Sequence, residues 1–195
     1  TDPLDPSQRY LIIAGGNDGT QTLSSIERVP ITVNGLRDQA VGMPTADVQS
    51  LGTAREDIVL LTANPGNANR LSAEYVYFLG GTQSNGMITR VVEVAEVLTT
   101  GVLGLLATTD NMQRSRAGYA AAIANNNIVT AGGQNGGPSA TADKGEICEQ
   151  ATCPPPAIDK WSSLSNVNMQ DRFQMGYTSF GGFFYMYGGV TTGNA

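Results

Sequence analysis

The chain has 195 residues, 24 glycines, two cysteines, no histidine and a formal net charge of −6. Its two lysines and nine arginines are scattered along the sequence, which excludes the massed basic footprint that a nucleic acid or an anionic membrane surface requires. Without histidine there is no Ser-His-Asp relay and no histidine-bound metal, and no apolar run approaches the ~18 residues of a membrane-inserted helix.

Residues 1–8, with Pro3 and Pro6 in polar company, predict an extended lead-in. The chain opens on Thr1, from which we expect a removed leader or a longer parent. Residues 9–14 are strand-like and run into Gly15-Gly16, after which Asn17-Asp18-Gly19-Thr20 marks a turn. Residues 25–33 alternate well enough for a strand, with Pro30 confined to an edge or a bulge. Residues 34–52 are loop-like, Val41 or Val48 being candidate strand positions.

A new unit opens at Arg55. It predicts strands at 57–63, 75–79, 90–97 and 103–108, with Gly80-Gly81 closing the second and Asn85-Gly86 giving a tight turn. Glu93 and Glu96 are an odd step apart, so they fall on opposite faces and form no carboxylate pair. The next unit opens at Arg116, preceded by Met112. Its strands are expected at 118–124, 128–131, 145–150 and 160–164, the last with the only tryptophan, Trp161, and Gly132-Gly133 closes the second. The last unit opens at Arg172, preceded by Met169, and gives strands at 176–180 and 183–187 before Gly188-Gly189. Sixteen residues separate Arg116 from Gly132 and Arg172 from Gly188. Helical periodicity is absent at useful length, and short strands with frequent turns read as all-β.

The apolar strand ending in Gly-Gly, the Met shortly before an opening Arg and the late tryptophan together resemble kelch repeats. The resemblance implies a β-propeller of about four four-stranded blades, spanning 9–195 in units of roughly 9–54, 55–115, 116–171 and 172–195, with incomplete first and last blades. The paired glycines, Gly15, Gly16, Gly80, Gly81, Gly132, Gly133, Gly188 and Gly189, would then end the second strand of each blade. The late tryptophan occurs once, and Leu105 or Leu106 is expected to take its place in the second unit. Three, four, four and two strands do not close a propeller of complete blades, so the rest of the same chain or another chain is expected to complete the ring.

Arg55, Arg116 and Arg172 are the candidate binding or blade-interface residues. A repeated arginine at a strand start more often bonds carbonyls or carboxylates of a neighbouring blade, for which Asp57, Asp110 and Asp171 are candidates. Cys148 and Cys153 permit a local disulfide across a turn, implying an oxidising compartment, or two free thiols; two cysteines without histidine disfavour zinc. No catalytic constellation, cofactor or metal is expected. The sequence therefore points to a non-catalytic protein- or glycan-binding or structural module, extracellular or at the cell surface, acting through loops 64–73, 134–144 and 151–159. The alternatives are the non-catalytic portion of a larger oxidase- or sialidase-like propeller enzyme and a subunit of an extracellular assembly.

Overall fold

A computed structural model describes residues 9–32, 35–36, 49–64, 74–98, 101–148, 157–165, 167 and 169–192. These residues form fifteen β-strands and no helix, so the fold is all-β. β1 (Arg9–Ala14), β2 (Ile26–Thr32) and β3 (Gly35–Leu36) make a three-stranded sheet. β4 (Arg55–Glu56) pairs with β7 (Thr82–Gln83), flanking a four-stranded sheet of β5 (Val59–Ala63), β6 (Glu74–Leu79), β8 (Val92–Val97) and β9 (Ala107–Thr108). A second four-stranded sheet follows, β10 (Ala120–Ala124), β11 (Asn127–Ala131), β12 (Ala142–Ile147) and β13 (Ile158–Ser163). β14 (Gly176–Phe180) and β15 (Phe183–Tyr187) form a hairpin. Every pairing is antiparallel.

The four main sheets thus hold three, four, four and two strands, the distribution expected from the sequence. The strand that ends in Gly-Gly is the second of its sheet in the last three sheets and the first in sheet one. Several boundaries move. β12 starts at Ala142, inside the segment read as the 134–144 loop, because Thr130 and Ala131 pair with Asp143 and Ala142. Val41 and Val48 lie outside the described residues, and the third strand of sheet one is the short β3.

Both faces of the sheet-two strand β6 are covered, which explains its continuous apolar run. Tyr75, Tyr77 and Leu79 point into a core shared with Tyr119, just before β10, and with Ala121, Ile128, Ile147 and Trp161 of the third sheet. Val76 and Phe78, on the other face, pack with Ala14, Ile26, Leu51 and Leu103. The alternation of a strand therefore connects sheet one to sheet three through sheet two. Burying each of these large side chains contributes about 1.5–3 kcal/mol. Of the two leucines named in the second unit, Leu106 packs against the second of these cores, whereas Leu105 is 84 % exposed. Trp161 itself lies over Gly145, its cross-strand partner, where a Cβ would stand 2.7 Å from the indole ring.

Candidate functional site

The paired glycines and the arginines are parts of one repeated hydrogen-bond network. All eight glycines have positive φ. The second glycine of each of the first three pairs donates to the carbonyl of the arginine that opens the next unit, Gly16 to Arg55, Gly81 to Arg116 and Gly133 to Arg172, at 2.8 Å each time. The same glycine accepts from Leu23, Thr89 or Ser139, and those residues accept in turn from the N–H of the same three arginines. At Gly80 a Cβ would meet both Arg116 O and Met112 Cε at 2.7 Å, closer than real contacts allow, so the close approach demands glycine as much as its φ of +55° does.

Each guanidinium then turns back onto its own unit. Arg55 Nη1 donates to Gly80 O at 2.9 Å and Val91 O at 3.2 Å, and Nη2 pairs with Glu93. Arg116 Nη1 donates to Gly132 O and to Thr141 O at 3.0 Å, and its Nη2 donates to Thr141 Oγ1 at 2.9 Å and Asp143 Oδ2 at 2.7 Å. Arg172 Nη1 donates to Gly188 O at 2.9 Å. Arg55 and Arg116 are each 1 % exposed. Their acid partners are Glu93 and Asp143, in place of the candidates Asp57, Asp110 and Asp171. Asp110 instead offers its carbonyl to Trp161 Nε1 at 3.0 Å.

The two acid partners share a register position that the strand pairing reveals. Glu93 and Asp143 sit two residues after Val91 and Thr141, whose carbonyls accept from Gly80 and Gly132, and Glu27 stands in the same relation to Ser25, the acceptor for Gly15. A second feature is invisible to residue-type reasoning. The residue two after each arginine, Asp57, Gly118 or Gln174, has a φ of 54°, 57° or 53°, and these residues bond in series, Gly118 N–H to Asp57 O and Gln174 N–H to Gly118 O.

Burial lowers the pKa of Arg55, with Glu93 opposing the shift. Tyr119, close to both buried arginines, is raised well above the ordinary phenol value, first by burial and then by Tyr177, while the two arginines pull it the other way. Among the described residues its hydroxyl has no hydrogen-bond partner, nor do Arg55 Nε and Arg116 Nε. Among the described residues no three His, Cys, Asp or Glu side chains stand close enough to hold a metal ion.

Beside the Arg116 network lies a cavity of about 720 Å3 between the β9–β10 and β11–β12 connections. Gln113, Arg114, Gln134, Asn135 and Ser139 line it, with Arg90 at the rim. The buried Asp143 carboxylate is divided between Arg116 and Arg114, and the Arg114 side chain keeps 41 % exposure. Arg90 is exposed. Three guanidinium groups against one carboxylate leave this cavity locally positive in a chain of net charge −6, a setting that attracts a carboxylate or another oxyanion.

A separate cavity of about 620 Å3 is lined by β1 together with the first strands of the other main sheets, through Tyr10, Ile12, Leu60, Ala122, Tyr177 and Ser179 among others. Asn17 to Thr20 is a turn, with the Asp18 carboxylate accepting from Thr20 N, Thr20 Oγ1 and Gln21 N. Of the three loops expected to make contacts, 134–144 frames the positive cavity, whereas 65–73 and 151–156 lie outside the described residues. Cys148 is buried and is not a free thiol. Cys153 lies outside the described residues. No protein-family model and no curated protein matches the chain.

Proposed function

We propose that the chain is a kelch-type β-propeller segment serving as a non-catalytic binding and structural module of a secreted or cell-surface protein, with the Arg90–Arg114 cavity as its ligand face. The observation that carries the architecture is the arginine and double-glycine network, which recurs with the same donors and acceptors at three successive sheet junctions. It is supported by the common cavity that β1, β5, β10 and β14 share, since a radial arrangement brings successive inner strands to one axis.

Loops at the end of a rigid β-scaffold are where recognition is usually carried. The cavity meets that condition and adds the exposed Arg90 and the partly exposed Arg114, the latter held by the fixed Asp143 carboxylate, so the ligand is a protein or glycan that presents acidic groups. A Cys148–Cys153 bridge would suit an oxidising compartment, and alkylation of the unreduced protein should then add no mass. The binding test is retention on acidic peptide and uronate-containing oligosaccharide arrays. Loss of retention in the Arg90→Ala/Arg114→Ala double variant, with its melting temperature near that of the parent, supports the assignment. Unchanged retention removes the cavity as the ligand face.

A further inference from the structure

The chain contains three Asn-Gly steps, at residues 34–35, 85–86 and 135–136, and the last two lie wholly within the described residues. They form a matched pair. Each sits in the loop that follows a Gly-Gly pair, and both asparagines and both glycines are exposed. Gly86 and Gly136 have φ of +80° and +77°, and a Cβ on either would meet no atom within 4 Å. Steric room and glycine conformation are therefore alike at the two steps.

Their hydrogen bonds differ. Gly86 N–H donates to Gln83 O at 2.8 Å, and Asn85 Oδ1 accepts from Met87 N at 2.9 Å, so the amide nitrogen and the side chain of that step are both engaged. At the other step Asn135 N–H donates to Gly137 O at 3.1 Å, while neither Gly136 N–H nor the Asn135 carboxamide has a partner among the described residues. A glycine nitrogen, with no Cβ beside it, is the backbone nucleophile best able to reach the preceding carboxamide. It attacks only once its own hydrogen bond has been given up.

We propose that Asn135 is a spontaneous deamidation site that places a carboxylate in the positive cavity. Gly136 N attacks Asn135 Cγ, its proton passes to the departing amide nitrogen, and ammonia leaves as a cyclic imide closes. Water then adds across either carbonyl–nitrogen bond of the ring, giving aspartate or isoaspartate, both ionised at neutral pH. Asn135 lines the cavity together with Arg90 and Arg114. With three guanidinium groups there against the Asp143 carboxylate, one new carboxylate halves the local excess of two positive charges. The effect on binding rests on the reading of this cavity as the ligand face, whereas the covalent step does not.

Peptide mapping by mass spectrometry, on the full chain aged at neutral pH and body temperature, tests the site. Each of the two hydrogen bonds that Asn85 must release slows its reaction about fivefold. The mass gain of an amide-to-acid change should therefore accumulate at Asn135 at least about tenfold faster than at Asn85. Equal or inverted rates, or no gain at Asn135, overturn the proposal. On the acidic peptide and uronate arrays, Asn135→Asp should lower retention about threefold, the worth of one exposed charge interaction, and Asn135→Gln, which keeps the amide, should match the fresh parent. An Asn135→Asp chain retained as well as the parent overturns the charge effect. If the parent itself is not retained, the ligand-face reading falls, and the peptide map still decides the modification site.

Discussion

Arg116→Gln removes the group that ties the third sheet together. The guanidinium makes charge-assisted bonds to Gly132 O, Thr141 O, Thr141 Oγ1 and Asp143, at 1 % exposure. Removing one member of a buried ion pair costs about 3–5 kcal/mol, because the remaining charge stays desolvated. Arg114 still faces Asp143, which places the expected loss at the lower end, ~3 kcal/mol, a large share of the about 5–15 kcal/mol of a typical domain. With a urea slope of about 2 kcal/mol/M the midpoint should fall by ~1.5 M. Trp161 lies on β13 of the same sheet and is nearly buried, so its fluorescence reads the transition directly. Arg114→Gln is the control, since a pair with a partly exposed member contributes about 1 kcal/mol or less. If Arg116→Gln costs no more than Arg114→Gln, the guanidinium is not what joins the strands, and the repeat network loses its energetic meaning.

Gly80→Ala should cost ~2–4 kcal/mol, combining the left-handed backbone with a Cβ driven onto Arg116 O and Met112 Cε; Gly86→Ala, with a φ of +80° and no atom within 4 Å, should show only the backbone part in thermal unfolding. Tyr119→Phe deletes a buried hydroxyl that has no partner among the described residues, so its stability should stay within about 0.5 kcal/mol of the parent or rise, and a loss above 2 kcal/mol would reveal a hidden acceptor. Hydrogen bonds from Thr20 and then Gln21 lower the Asp18 pKa from 3.8 to about 2. The stabilisation it contributes is accordingly present above pH 3.8 and lost as the pH falls through about 2. A carboxyl titration by NMR should find Asp18 as an acidic outlier, and Thr20→Ala should return it towards the ordinary value.

The hairpin β14–β15 was legible to the residue, because Phe180-Gly181-Gly182-Phe183 leaves one place for the turn and the aromatic alternation fixes the register. The arginines and paired glycines were legible as a repeat because they recur at matching places. Their carboxylate partners were not, since proximity in the chain favoured Asp57 and Asp171 while the fold brings in Glu93 and Asp143 from the third strands. The left-handed run at Asp57, Gly118 and Gln174 was hidden for another reason. Three different residue types adopt it, and only the bonds between successive units reveal why. The positive cavity was foreshadowed by the 134–144 loop, yet the residues that charge it, Arg90 and Arg114, come from other connections.

The bond from guanidinium to first-glycine carbonyl spans 25 residues for Arg55 and 16 for Arg116 and Arg172. The repeat thus measures a gap in space and is indifferent to how much chain is spooled between its two anchor points. Sequence added between β5 and β6 leaves the junction chemistry unaltered at a closure cost that grows only slowly with length. That connection is accordingly where a reporter peptide or an extra recognition loop can be spliced without loosening the joints on either side.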